Sequence, residues 1–369
     1  MKRKKLTQNP LFLPLVCVLL VLAVNVVYDL AQGNVPWDFF VTTINDQGLL
    51  TGRLVTILNR GSEVAILAIG MTLVVSASAG TDISVGSVMS LCASFCCMLI
   101  AGFGVSAVNS PEEFARPLIV GLLGALVMGC VCGAFNGTLV AYLNIQPMVA
   151  TLILWSAARA IGLLLCNNLI VYVRTDAYGV FGGYLKSLGG PIGEVLGFLP
   201  TPILIAAVCI AVVSLVLKKT AMGMYIQSVG INKKASRIAG LNSKRIIFMC
   251  YLLCGLCAGI AGIVASSRIT SADSNNIGLN MELDAILAVA LGGNSLGGGR
   301  FNLAGSIIGA YTIQAITTTM YNLGVSSAVA PVFKAVVVIV IVVIQAPPVK
   351  AWFRKHAAGK STGKEAAHA

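Results

Sequence analysis

The chain has 369 residues, of which 57% are hydrophobic and only 10% charged, and its net charge is +12. Soluble domains carry about 25% charged residues, so a water-soluble fold of this length could not hide so much apolar surface, whereas a bilayer could. The apolar runs are long and continuous instead of alternating, which argues against a β-barrel and predicts an all-α polytopic membrane protein.

The opening stretch, MKRKKLTQNPLFLPLVCVLLVLAV, joins a basic head to an apolar run in the manner of a signal peptide. The run extends from Leu11 to Val27 and leads into YDLAQGN without a clear cleavage pattern. Signal cores are shorter, about 7–15 residues, so an uncleaved first span is expected. Ten apolar segments can be drawn in all, at about 11–30, 56–79, 84–103, 117–142, 147–167, 201–217, 246–266, 284–298, 302–321 and 331–347. The second, eighth and ninth have soft edges. The expected organisation is a basic N-terminus at 1–10, a transmembrane domain at 11–347 and a polar basic tail at 348–369.

Charge tests the count of spans. With the N-terminus in the cytoplasm, seventeen of the twenty-five basic residues fall on the cytoplasmic side and five, Arg53, Arg116, Arg174, Lys186 and Arg268, on the other. Arg60, Arg159 and Lys334 fall within spans or at their edges. This bias fits about ten transmembrane helices with both termini cytoplasmic. It also accounts for the charge, so no nucleic acid partner is needed.

Polar groups inside spans are costly and mark function or packing. Asp82 and Ser84 lie in a Gly/Ser/Thr-rich break between two apolar runs. They can line a path or hold a broken helix together, and equally can cap the next helix. Asn136 and Gln146 suit hydroxyl ligands, and amides also bond between membrane helices. Arg159 sits near the centre of a span and requires a partner such as a helix C-terminus or a carboxylate, for which Glu63 and Asp284 are candidates. Trp155, one turn earlier, can stack on a ligand or simply contact lipid.

The loop at 218–245 holds seven basic residues and no acidic one. Within it Asn232 can cap a short helix and Gly240 can end it, with Ala235, Ile238 and Ala239 forming a small apolar face. A solvated loop that sets orientation and a short helix that docks into another protein both remain open on these grounds.

Two tempting signals fail. The eleven cysteines lie nearly all in apolar spans; Cys254 and Cys257 form a CxxC, but the two histidines, His356 and His368, are in the tail. Zinc prefers four Cys or His ligands, so the cysteines are read as buried packing residues, with no metal site and no catalytic cluster. The stretch LGGNSLGGGRFNLAG imitates a phosphate loop. Gly293 and Gly298 have the spacing, but Gly299 replaces the lysine and Phe301 follows Arg300. The motif requires GxxxxGK followed by Ser or Thr at a strand-to-helix turn. A turn between spans is expected instead, with Asn294 and Ser295 bordering a path.

Four stretches in order, LAIGMTLVVSASAGTDISVGS, NGTLVAYLNIQPMVATLIL, KTAMGMYIQSVGINKKASRIAGLNSKR and ELDAILAVALGGNSLGGGRFNLAGSIIGA, together resemble the permease subunit of ribose-type ABC importers of sugars. Within that group the chain looks closest to galactofuranose-type permeases, through LNRG, FLPTPI, SADSNNIGLNMELDAILAV and GGRFNL. The resemblance runs from about Leu58 to Pro347. It implies an ABC importer permease fold in a bacterial inner membrane. A second permease, the same chain or a homologue, would complete the path. A cytosolic ABC ATPase would bind below, carrying the ATP and Mg, and a periplasmic or extracellular sugar-binding protein would deliver substrate. The chain itself would bind no cofactor, and lipid would surround it. The segment 219–245 matches the family's coupling segment through Gly230, Asn232, Ala235, Arg237 and Gly240.

The chain departs from the family pattern at AGTDISVG, where Ala79 and Thr81 replace the usual Gly and Ile, and at Glu63, which is usually uncharged. Beside this reading stands an ion-coupled secondary transporter of a small polar solute, with Asp82, Glu63 or Asp284 carrying protons.

Overall fold

A computed structural model describes residues 12–31, 42–44, 48–102, 115–188, 197–326 and positions 329, 332, 334–336 and 339. The expected basic head at 1–10, most of the expected last span at 331–347 and the tail at 348–369 lie outside the described residues.

In chain order the elements are α1 (Phe12–Ala31), β1 (Thr43–Ile44), β2 (Leu50–Thr51), α2 (Arg53–Ser78), α3 (Val85–Ala101), α4 (Leu118–Ala141) and α5 (Pro147–Leu165). Next come β3 (Val171–Tyr172), α6 (Asp176–Gly179), a 3-10 turn (Leu185–Leu188), α7 (Thr201–Lys219), α8 (Met222–Ile231) and α9 (Lys233–Ile238). The chain continues through α10 (Ser243–Arg268), β4 (Ser271–Ala272), α11 (Met281–Leu291) and α12 (Leu303–Asn322). Two compact units divide at Ala315 and Ile316, within α12.

Among the described residues, five helices, α2, α4, α5, α7 and α10, are long and apolar enough to cross a membrane. Shorter apolar helices also fall on the predicted first and third segments. The predicted eighth segment, 284–298, differs. Its helix, α11, has 11 residues and stops at Leu291. At 1.5 Å per residue it covers about 16 Å, half of a ~30 Å hydrocarbon core.

Local chemistry explains the boundaries. Pro147 opens α5 and Pro202 lies in the first turn of α7, where a missing N–H costs nothing. The Asn242 side chain accepts from the Arg245 N–H and caps α10. The end of α2 is an αL residue, Ala79 with φ 54, a position that favours glycine.

α2 is buried along nearly its whole length and forms the centre. α10 packs on it and on α4. Lipid chains are as apolar as leucine, so helix association in a bilayer depends on close packing and interhelical bonds. The α4–α10 seam follows that rule: a Cβ at Gly255 would lie 2.8 Å from the backbone of Gly133. A Cβ at Gly129 would lie 3.3 Å from Gly259. The two backbones meet with almost no side chain between them.

The connection after α5 folds back into the bundle. Val171 pairs with Ala272 in an antiparallel β3–β4 ladder. Thr175 caps α6. The fully buried Tyr178 shares a 2.6 Å hydrogen bond with Ser266, and the Ser267 hydroxyl donates to the Tyr178 carbonyl. At the chain's start, Arg53 makes a bidentate pair with the buried Asp29, at 2.7 and 2.8 Å.

Candidate functional site

The break between α2 and α3 is re-entrant. After turning at Ala79 the chain climbs back beside α2, so that the Asp82 N–H faces the Met71 sulfur at 3.5 Å. Met71 lies seven residues before the end of α2, which puts Asp82 ~10 Å inside the helix terminus. Asp82 Oδ1 accepts from the Ser84 N–H at 2.9 Å and from the Ser84 hydroxyl at 2.6 Å. The Asn136 amide donates to Ser84 Oγ at 2.9 Å and approaches Asp82 Oδ1 at 3.5 Å. From α5, Thr151 Oγ1 accepts from the Ile83 N–H at 3.2 Å. Asp82, Ser84 and Asn136 therefore form one buried cluster. The crevice they share with Cys132 and Gly133 leaves no space for a water molecule. The side chain of Ser84 accepts no helix N–H; Asp82 holds the first N–H of the entry to α3 instead.

A second polar group forms where the N-terminal ends of α3 and α11 meet. A Cβ at Gly86 would collide with the Gly278 carbonyl and the Glu282 carboxylate, so the two helix starts touch through bare backbone. Glu282 lies in the first turn of α11, where the helix dipole favours a negative charge. Its Oε1 accepts from the Trp155 indole N–H at 3.3 Å. Its Oε2 is buried with no hydrogen-bond partner among the described residues.

One turn along α5, Arg159 Nη1 donates to the carbonyls of Ser274 at 2.8 Å and Asn275 at 3.1 Å, and reaches that of Ile277 at 3.4 Å. From α3, Ser90 donates to the same Ser274 carbonyl at 3.0 Å. These bonds hold the irregular segment before α11 between α3 and α5. Of the partners expected for Arg159, a helix C-terminus or a carboxylate such as Glu63 or Asp284, Glu63 is not the one it meets. Backbone carbonyls take the guanidinium, and Glu63 instead pairs with Arg268 at 2.8 Å. Trp155 keeps 37% of its surface exposed, and Ser156 and Ala160 are exposed on the same helix.

The remaining path candidates are separate. Gln146 is exposed at the start of α5, nine residues and ~13 Å before Trp155. Asn294 closes the α11–α12 turn on itself. Its amide donates to Ser306 Oγ at 2.7 Å and to the Val289 carbonyl at 3.1 Å, and its Oδ1 accepts from the Asn302 N–H. Thr72 of α2 bonds the same Ser306 hydroxyl at 2.7 Å. Ser295 is exposed and accepts from the Gly297 N–H.

The segment 219–245 contains two helices, where one was expected. Asn232 separates α8 from α9 and caps the latter, accepting from the N–H groups of Lys234 and Ala235 at 3.0 Å each. Gly240, with φ +83, follows the end of α9 and has nothing within 4 Å of a built Cβ, so its role is conformational. Ala235 and Arg237 lie on α9 with Ile238, which is 88% exposed.

Gly230, in the last turn of α8, is pressed against two other elements. A Cβ there would overlap the Ser76 carbonyl and lie 2.6 Å from the Gly299 nitrogen. The Gly299 N–H donates to that same carbonyl at 3.0 Å. Gly298 lies against Ala79, with a built Cβ 3.1 Å from its Cα. The glycine-rich stretch is thus a junction at which α8, the end of α2 and the α11–α12 turn meet backbone to backbone.

Sequence reading missed two participants in these arrangements. Glu282 follows NNIGLN at a helix start, a position where an acid is common, and nothing local pairs it with Trp155. Ser76 carries no signal, because only its carbonyl takes part.

Residues 53–344 match a family described as a branched-chain amino acid transport system permease component. The chain belongs to this permease family. The permease is 43% identical over 332 residues to galactofuranose transporter permease protein YtfT of Escherichia coli, covering 90% of this chain and 88% of the relative. It is 40% identical over 314 residues to fructose import permease protein FruF of Bifidobacterium longum, at 85% and 83% coverage. Against ribose import permease protein RbsC of Escherichia coli the identity is 34% over 308 residues, at 82% and 88%. No solved structure matches the permease. Family and apolar helices together make it a multi-pass membrane protein.

Proposed function

We propose that this permease is the membrane-spanning subunit of a binding-protein-dependent ABC importer of a monosaccharide, galactofuranose- or ribose-like, in a bacterial inner membrane. Similarity along nearly the whole chain to galactofuranose, fructose and ribose permeases supports the substrate class. The chain passes about ten times through the membrane with both ends cytoplasmic, and α11 completes its pass together with the irregular, turn-rich segment before it. A second permease closes the path. A cytosolic ATPase, holding ATP and Mg, docks on α8 and α9, and an external binding protein supplies the sugar.

The observation that carries the mechanism is the seat of Gly230 against Ser76 and Gly299. A push on α8 reaches the end of α2 and the α11–α12 turn together, because no flexible side chain intervenes to absorb it. Those two elements lead to the Asp82 break and to the Glu282 helix start. ATP-driven closure of the ATPase pair therefore has a short route to both interrupted helices. Polar groups on an exposed face within the membrane belong beside a water-filled space or a partner, not lipid. On that ground the face of α5 with Trp155, Ser156 and Arg159 borders the path.

The test is sugar uptake into vesicles holding the permease with and without its ATPase. Uptake that depends on ATP and the ATPase is expected. Uptake that persists without the ATPase and collapses with the ion gradient would overturn the proposal in favour of ion coupling.

A further inference from the structure

A cleft of about 620 Å³ opens between α9 and the adjoining ends of α4 and α10, lined by Asn144, Lys233, Lys234, Arg237, Ser243 and Lys244, among others. It holds four cationic side chains, and no carboxylate lines it. Burial, and then the neighbouring charge of Lys244, hold the Lys233 amine below its usual range. This arrangement is electrostatically unfinished and favours an anion.

We infer that the cleft holds the phosphate headgroup of an anionic phospholipid, whose acyl chains lie along the adjoining ends of α4 and α10.

Three observations select a lipid over an acidic protein segment. The first is direction. At 100° per residue, Lys233 and Arg237 lie within about 40° of each other around α9, while Ala235 and Ile238 lie on the other side. Ile238, exposed and apolar, suits a protein contact; Lys233 and Arg237 lie away from that face, while Lys234, four residues before Ile238, lies within about 40° of it. The second is depth. The cleft adjoins the last residue of α4, Ala141, and includes the first of α10, Ser243. Membrane helices end at headgroup level. The third is continuity with an apolar surface. Tyr142, Leu143 and Met249 are exposed large hydrophobics at the same helix ends. Lys244 stands 5.8 Å over the Tyr142 ring, which meets Phe248 edge-on at 6.0 Å. Aromatic rings at helix ends mark the bilayer interface, and basic pockets between membrane helices receive acidic headgroups.

The experiment is native mass spectrometry of the purified full-length permease in detergent micelles, with phosphatidylglycerol or phosphatidylcholine added. The wild type should retain phosphatidylglycerol adducts in preference to phosphatidylcholine. In the double variant Lys234→Gln/Lys244→Gln, each lost charge should lower adduct abundance about fivefold. Lys234→Arg/Lys244→Arg should keep the adducts, which separates charge from fold; should the double glutamine variant fail to fold, Lys244→Gln beside Lys244→Arg gives the same readout. Unchanged adducts in the glutamine variants would overturn the inference. So would displacement of phosphatidylglycerol by millimolar inorganic phosphate, which would make the ligand a soluble anion. Intact lipid binding with lost co-purification of the ATPase would overturn it in favour of an acidic protein segment. The lipid adducts themselves are read without ATPase or sugar, so their absence leaves the import reading standing.

Discussion

The two interrupted helices of this permease treat buried charge in opposite ways. At the α2–α3 break, Asp82 is enclosed by donors from its own loop and from α4, in a crevice too tight for water. At the start of α11, Glu282 has one oxygen on the Trp155 indole and the other without a partner, beside a helix face that is partly open. A buried carboxylate whose own donors are in place holds one conformation, even though the Asn136 carbonyl oxygen beside it has no partner among the described residues, whereas an unfinished carboxylate leaves a charged group available. The first arrangement suits a staple and the second a place where the protein meets something else.

The comparison can be broken at its shared input. Gly230→Val puts methyl groups into the Ser76 carbonyl and the Gly299 backbone. Overpacking against yielding side chains costs about 1–3 kcal/mol, and backbone yields less. Uptake should fall to background with membrane insertion retained, checked by vesicle transport beside a fluorescent fusion.

The next effect in size should come from the staple. Asp82→Ala leaves the Ser84 N–H without its acceptor in a dry site, a loss of about 1–3 kcal/mol. It should lower the melting temperature in detergent and lower yield. Glu282→Gln should sharpen the contrast: the amide oxygen still accepts from Trp155, so the melting temperature should hold, while uptake falls about tenfold, the equivalent of about 1.4 kcal/mol. Equal losses of stability in both variants would erase the distinction.

Smaller effects test α9 and the proposed ATPase contact. Asn232→Ala removes the cap of α9, worth about 1 kcal/mol, and should weaken ATPase co-purification by a few fold while leaving insertion alone. Ala79→Gly should be the mildest change. A non-glycine residue in the left-handed region carries a cost of about 1 kcal/mol, so glycine there should slightly raise the melting temperature.

Most of the helical frame was legible in the sequence, because apolar length and turn residues decide it locally. The bounds 84–103, 117–142 and 147–167 lie within two residues of α3, α4 and α5 at each end. The eighth segment was overextended, because apolar composition continues past Leu291 while the chain turns and the Asn294 side chain takes the backbone's hydrogen bonds. At the site, the cluster of Asp82, Ser84 and Asn136 could be named but not assembled, since its members lie up to 54 positions apart. The carbonyls that hold Arg159 were illegible in principle. They belong to an irregular segment more than 110 positions away, and a backbone carbonyl has no sequence identity.

The α4–α10 seam has a mechanical consequence. Side chains between helices act as bearings, since they change rotamer and let one helix shear past its neighbour. Here Gly129 and Gly133 face Gly255 and Gly259 with backbone against backbone, so there is no bearing to turn. α4 and α10 must travel as a single plank. The opening and closing of a path through this protein is therefore a swing of that plank against its neighbours, and the slip has to occur along other seams.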